Sequence, residues 1–304
     1  MPRSPVPSYV LSGKDSFLAK YKIKDQEFED AGLNWNDLET IFKDYSSWHR
    51  NLLDEAENIA ANLRKCPAVH AVRSRVKNPE KLIEKIIRRS IEDGSPWASS
   101  RNYIEKAPDL IGVRAIYLFH EQWFSVDRYL RDNFSIRRRP APTAYIQKPI
   151  PKRIRRAFDA AGLVIEKGKD GYQSVHYETY RKIVSKIIRI ELQARTLHQE
   201  AWGEISHVTA YPYRKKVTLL VKSMGKLAGL TARADHFSTV IHYLTQLWDA
   251  RVTGRDPSPE LVNAYTESVQ FLQTYYPEIV GELSKATSEF SIPKLDLSFE
   301  IPHV

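Results

Sequence analysis

The chain has 304 residues, 42% hydrophobic and 27% charged, with 12 glycines and 17 prolines; this is enough apolar material for a core and excludes a fibrous or wholly disordered chain. Cys66 is the single cysteine, which rules out an internal disulfide framework and a multi-cysteine metal site, and the formal charge of +9 points to anionic partners. No run approaches the ~20 apolar residues of a membrane span, and the opening MPRSPVPSYVLSGKDS lacks the apolar stretch of a secretory signal, so a cytoplasmic location is expected.

In chain order, residues 1 to about 35 read as weakly structured, with three prolines in the first seven positions. A helical pattern follows from Asn36 to about Lys65, with Leu52, Leu53, Ala56, Ile59, Ala60 and Leu63 on one stripe, as a core-facing helix requires. Asn78 as a cap and Pro79 at the first helical position open the next helix. Leu82, Ile83, Ile86 and Ile87 form its buried face, while Lys81, Lys85 and Arg89 recur every four residues behind Lys77. Such a cationic stripe at a helix N-terminus is either a solvated face or a phosphate site.

Leu110 to Phe119 is an apolar run that reads as a central strand, and Arg114 inside it demands an ion pair or a ligand pocket. Between Arg131 and Arg156 there are nine basic residues (Arg131, Arg137, Arg138, Arg139, Lys148, Lys152, Arg153, Arg155 and Arg156) against Asp132 alone. This segment is either a solvated loop or a landing site for nucleotide phosphates or an RNA backbone. Tyr172 to Tyr180 alternates and places Tyr172, Ser174 and His176 on one face. Ile188 to Arg195 alternates too, with Ile188, Ile190, Leu192 and Ala194 opposite Arg189, Glu191, Gln193 and Arg195. Two polar faces in one sheet would make a polar floor. Helices are expected over 196–208, about 216–231, about 233–250 with Val240, Ile241, Leu244 and Trp248 in register, and about 258–274; the last thirty residues read as extended. The whole reads as an α/β (α+β) core of residues 71–210, an N-terminal extension and helix over 1–70, and a C-terminal helical region over 211–304.

The motifs occur in the order R-x-K with its helix, DLIGVR, the basic segment, KDGYQSVHY and ELQART. Over about residues 73–207 this order resembles the synthetase domain of the RelA/SpoT family, which makes the alarmones pppGpp and ppGpp. The resemblance implies a nucleotidyltransferase-like mixed sheet flanked by helices and a Mg²⁺-dependent transfer of diphosphate from ATP to a nucleotide hydroxyl. It implies Asp109 and Glu191 as the metal-binding and catalytic carboxylates, with Glu191 also a candidate general base. It implies ATP binding by Arg75, Lys77, Lys85 and Arg114, the last stacking on adenine. On the acceptor side it implies Tyr172 stacking on the base, with Lys169, Ser174, His176, Gln193 and Arg195 around the sugar and phosphates; Arg195 is a candidate partner for Glu191 or a phosphate. Asp109 and Arg114 are five apart, so a bulge at Gly112, or Asp109 lying ahead of the strand, is needed to bring both to one site. Trp202 and His207 read as helix-packing residues.

The sequence departs from the family pattern at Lys81, where a serine is usual, and at Gly168, where a lysine is usual, flanked here by Lys167 and Lys169. No H-x-x-x-H-D signature is present, so synthesis without degradation is expected. Three functions follow: a synthetase using GDP or GTP as acceptor; a toxic relative pyrophosphorylating the 3′ end of tRNA, bound through 131–156 and restrained by an antitoxin; and an inactive nucleotide- or RNA-binding regulator. Oligomer formation is compatible with the terminal helices.

Overall fold

The computed structural model describes residues 9–147, 149–209 and 217–277. The chain order is α1 (Lys14–Tyr21), α2 (Asp25–Asp30), α3 (Trp35–Leu63), β1 (Ala71–Val76), α4 (Pro79–Asp93), α5 (Tyr103–Lys106), β2 (Ile111–Tyr117), α6 (Gln122–Asn133), β3 (Thr143–Ile146), α7 (Lys152–Ala160), β4 (Val164–Lys167), β5 (Ser174–Ile183), β6 (Lys186–Thr196), α8 (Leu197–Thr209), α9 (Thr218–Val252) and α10 (Pro259–Tyr275). The strands form one mixed sheet in the order β1-β2-β6-β5-β3-β4. β2 runs parallel to β6 and β3 parallel to β4, and the other neighbours are antiparallel.

The alternation of β6 sets the layers. Ile188, Ile190, Leu192 and Ala194 are fully buried and join Ile111, Val113 and Ala115 of β2 in the main core beneath α3 and α4. α3 supplies a stripe at three- and four-residue spacing, from Leu38 and Ile41 through Tyr45 and Leu52 to Leu63. α4 forms where its signals place it: the Asn78 side chain accepts from Glu80 N and Lys81 N, Pro79 occupies the first position, and Gly94 ends the helix at φ 65°.

Four expectations are corrected. The N-terminal segment is helical from Lys14, and Phe17, Leu18 and Phe28 are buried in the main core; its prolines lie ahead of these helices. The two helices expected over 216–250 are one, α9, because no proline interrupts them and Gly225 and Gly229 sit in open space within it. Its inward stripe is His236, Thr239, Val240 and Tyr243 rather than one through Ile241 and Trp248, which are 46% and 53% exposed. The basic segment is no single loop: Arg131 lies in the last turn of α6, α7 carries four of its members, and β3 lies between. Most of its charge is paired within the fold, Arg131 with Asp127, Arg137 with Glu178, Arg153 with Glu121, Arg155 with Asp159 and Arg156 with Glu267. Lys148 and most of the last thirty residues lie outside the described residues.

Candidate active site

The sheet's second face carries the polar residues, and the strand register decides which of them meet. Arg75 on β1 is opposite Gly112 on β2, and Arg73 opposite Arg114. Gly112 is beside Glu191 on β6 and Arg114 beside Gln193, while His176 on β5 is opposite Gln193 and Glu178 opposite Glu191. Because paired residues share a face, one floor runs from Arg73 and Arg75 across Gly112, Arg114, Glu191 and Gln193 to His176. Gly112 leaves room on it: a Cβ there would stand 3.3 Å from Arg75 Nε. The pairing is regular through Gly112, so no bulge forms; Asp109 reaches the site because it lies ahead of the strand.

At the donor end Asp109 is clamped by two ammoniums, Lys85 Nζ at 2.7 Å from Oδ1 and Lys77 Nζ at 2.9 Å from Oδ2. Burial opposes ionisation of Asp109, but the two lysines outweigh it and hold the carboxyl at about 2. Burial pulls the Lys85 ammonium below its ordinary value against the attraction of Asp109. The core helix sets this clamp, because the Lys77 carbonyl accepts from Tyr45 Oη at 2.8 Å and from His49 Nε2 at 3.1 Å. α3 therefore does more than pack. The expected cationic stripe on α4 divides: Lys85 joins Asp109, Arg89 pairs with Glu92, and Lys81 lies over the Tyr21 ring at 4.5 Å. Arg75 is exposed and has no ion pair among the described residues.

Arg114 is the buried arginine the sequence flagged, and its partners come from α8. One guanidinium nitrogen donates to Glu200 at 2.8 Å and to Glu204, while Arg73 reaches Glu204 at 2.8 Å and Glu200 at 3.3 Å. Arg195 does not pair with Glu191, one of the two partners expected for it. It is 2% exposed and pairs with Glu200 at 3.2 Å. Arg73, Glu200 and Glu204 were not singled out in the sequence; the signal was a Glu pair at i, i+4 opening a helix directly after a strand lined with arginines.

At the acceptor end a directed chain of hydrogen bonds ends on Glu191. Arg195 donates to Tyr172 Oη, Tyr172 Oη donates to His176 Nε2 at 2.6 Å, and His176 Nδ1 stands 2.7 Å from Glu191 Oε1. An Nδ1 proton on His176 faces the carboxylate, and with the ring in that tautomer Nε2 accepts from the phenol. Burial raises the Tyr172 phenol, which keeps the proton it donates. Burial also works against the Glu191 charge, but the bond from His176 outweighs it and holds the carboxyl at about 2. Asp109 acts on Glu191 in the opposite sense, so the two carboxylates feel one another. The Ser174 Oγ accepts from Arg195 Nε at 3.2 Å. Gln193 is 7% exposed, and its Oε1 has no hydrogen-bond partner.

Tyr172, ahead of β5, sits among rings. Arg195 lies 4.9 Å from its centroid, and Tyr145 and Trp202 are 5.8 and 6.3 Å away. Trp202 packs with Met224 and Ala228 of α9, so the packing role expected for it is the one it has. His207 is instead exposed on α8; partial desolvation of its ring and the charges of Arg114, Arg75 and Arg195 push its imidazole below the ordinary range. The turn before Tyr172 explains Gly168. A Cβ there would fall 1.7 Å from the Tyr172 carbonyl oxygen, and Gln147 Nε2 ties the Gly168 and Tyr172 carbonyls together at 2.8 and 3.3 Å. No lysine fits at 168, and Lys169 is exposed beside it.

Residues 74–216 match the family model described as a region found in RelA / SpoT proteins. No curated protein matches the chain. Among solved structures, the small alarmone synthetase 1 from Bacillus subtilis is 18% identical with a TM-score of 0.51, over 67% of this chain and 98% of its own. The same synthetase bound to its product pppGpp is 20% identical with a TM-score of 0.48, over 66% and 97%. A GTP pyrophosphokinase family protein from Streptococcus pneumoniae is 19% identical with a TM-score of 0.48, over 70% and 98%. With its mixed sheet, flanking helices and helical extensions, this chain carries a RelA/SpoT-type domain.

Proposed function

We propose that the chain is an ATP-dependent pyrophosphokinase that moves the β,γ-diphosphate of ATP onto the 3′-hydroxyl of GDP or GTP, making ppGpp or pppGpp. The observation that carries this reading is the meeting of two ionised carboxylates, the lysine-clamped Asp109 and the histidine-bound Glu191, between an arginine-rich end and an aromatic end of one strand floor. Diphosphate transfer is in-line and asks the protein mainly to position both partners and to offset charge on the oxygens.

Magnesium takes oxygen ligands and keeps several waters, so one or two carboxylates suffice. Asp109 and Glu191 fit this: both are held ionised, and the charge of Asp109 raises the cost of the charge on Glu191. They would hold the metal, which when bound supplies charge neutralisation on the donor phosphates. Lys77 and Lys85 hold the phosphate chain, and Arg75 and Arg114 flank adenine, Arg114 kept flat by Glu200 and Glu204. Tyr172 and Lys169 receive the acceptor base and phosphates. Gln193, with its unbonded Oε1 beside Glu191, accepts from the attacking hydroxyl or its ribose. A carboxyl held at about 2 is a weak proton acceptor, so Glu191 orients the hydroxyl and binds metal more than it removes the proton.

A free guanine nucleotide is favoured over RNA because five of the basic residues in 131–156 are already ion-paired. The deciding experiment uses ATP labelled at the β-phosphate with GDP, GTP, adenine nucleotides or bulk tRNA offered separately. Label is expected in GDP or GTP; label in tRNA alone would replace the acceptor, and label nowhere would sink the transfer reading.

A further inference from the structure

The far end of β2 opens onto a second concavity. β2 runs seven residues away from Asp109, about 20 Å at the usual ~3.3 Å per residue. The chain then passes through His120 and Glu121 into the wall of a 520 Å³ cavity between the first turn of α7 and the facing sides of α9 and α10. None of the residues assigned above to the donor or acceptor end lines it. Its volume lies within the roughly 300–1,000 Å³ of small-molecule sites.

Two chemically different parts make up its lining. At one, α7 begins at Lys152, and its first three amides have no acceptor within the helix. Arg153 and Arg156 are neutralised there by Glu121 at 3.2 Å and Glu267 at 3.1 Å, whereas the exposed Lys152 has no ion pair among the described residues. That leaves one cation and three donors, the complement of a single phosphate. At the other is His236, 8% exposed and without a hydrogen-bond partner among the described residues; it lies near that turn, since both border one small adjoining pocket. Its imidazole stacks on His120 at 5.2 Å and lies 4.6 Å from the Phe271 ring. Burial, with His120 beside it, pushes His236 well below its ordinary range, so it is a neutral ring with one free N–H and one free acceptor. Stacked by His120 and Tyr276, this ring offers its edge, with no bond to a described residue, to a planar heterocycle in the cavity.

We propose that this cavity binds a small phosphorylated aromatic ligand with the size and chemistry of a nucleoside monophosphate. The phosphate sits on the first turn of α7 beside Lys152, and the base lies against His236 and Phe271. The site is separate from the transfer site and does not depend on the function proposed above. It has a route to that site, since α9 carries His236 here and Ala228 against the acceptor turn.

The test is photolabelling of the full chain with 8-azido-AMP, with the labelled peptides mapped by mass spectrometry. Saturable label is expected on the α10 peptide containing Phe271 and Tyr275, displaced by AMP but not by adenosine at the same concentration. Lys152→Glu, a change of an exposed side chain, should lower that label at least tenfold, and Ser268→Trp should do the same by filling the cavity. If Ser268→Trp fails to fold, Lys152→Glu decides alone. Label confined to peptides carrying Tyr172 or Arg114 would overturn the cavity site and leave the transfer reading standing. Displacement by adenosine as good as by AMP, or label that never saturates, would overturn it as well.

Discussion

Glu191 and Asp109 reach the same ionised state by different means, and the difference is measurable. Asp109 is held by two ammoniums and Glu191 by one imidazole at the end of a hydrogen-bond chain. Glu191→Gln keeps the shape but replaces an acceptor-only group by an amide, so transfer is expected to fall by at least 100-fold while the thermal midpoint stays within a few degrees; near-normal turnover would remove Glu191 from the chemistry. Both folded-state values, about 2, lie below the ordinary carboxylate range. The stability each contributes is therefore fully present above about pH 4.5 and is lost as pH falls towards 2. Asp109→Asn should flatten the fall of the urea midpoint across that window, and a slope equal to the wild type's would mean that Asp109 is not held as described. Gly168 gives a second test at this scale. Restoring the family's lysine at this position collides with the Tyr172 carbonyl, and overpacking of this kind costs about 1–3 kcal/mol. Gly168→Lys should raise the acceptor KM more than the ATP KM, because the displaced group is Tyr172.

Among the elements, α8 connects the two ends of the site. Glu200, 6% exposed, bonds Arg114 towards the donor end and Arg195 beneath Tyr172. Removing one partner of a buried ion pair leaves the other charge uncompensated at about 3–5 kcal/mol. Glu200→Ala is accordingly expected to lose stability on that order and to weaken both ATP and acceptor binding, whereas Glu204→Ala, at a 38% exposed position, should affect chiefly ATP. Equal effects of the two would argue that α8 acts only as packing. Much of this floor was legible because β6 alternates cleanly: Glu191 and Gln193 had to share a face, and the apolar residues between them had to face a core. The strands at the sheet's edges were not legible. β3 and β4 are four residues each and lie within a charged segment, and β1 reads AVRSRV because one of its faces carries the site's arginines. The partners of Arg114 and Arg195 were hidden for another reason: an i, i+4 Glu pair on a helix ordinarily marks a solvated face, and only the return of α8 over the strand ends turns it inward.

Over the whole molecule, the net charge of +9 is less available than the sequence suggests. The fold spends most of the 131–156 segment on internal pairs, and Arg137 is fixed twice by β5, through Glu178 Oε2 at 3.1 Å and through the Glu178 carbonyl at 2.8 Å. Arg138 and Arg139 have no ion pair among the described residues, so they are what remains of that segment's loop for a polyanion. Each phosphate contact contributes about 0.7–0.9 to the slope of log affinity against log salt. If bulk tRNA binds here, Arg138→Ser with Arg139→Ser should lower that slope by roughly 1.4–1.8. Transfer to GDP should remain within twofold of the wild type, since both residues are exposed and lie outside the strands that form the floor. An equal loss on both substrates would mean that the loop serves the acceptor site itself, and an unchanged tRNA slope would leave the interior of the site, with Tyr172, Lys169 and Gln193, as the sole determinant of the acceptor.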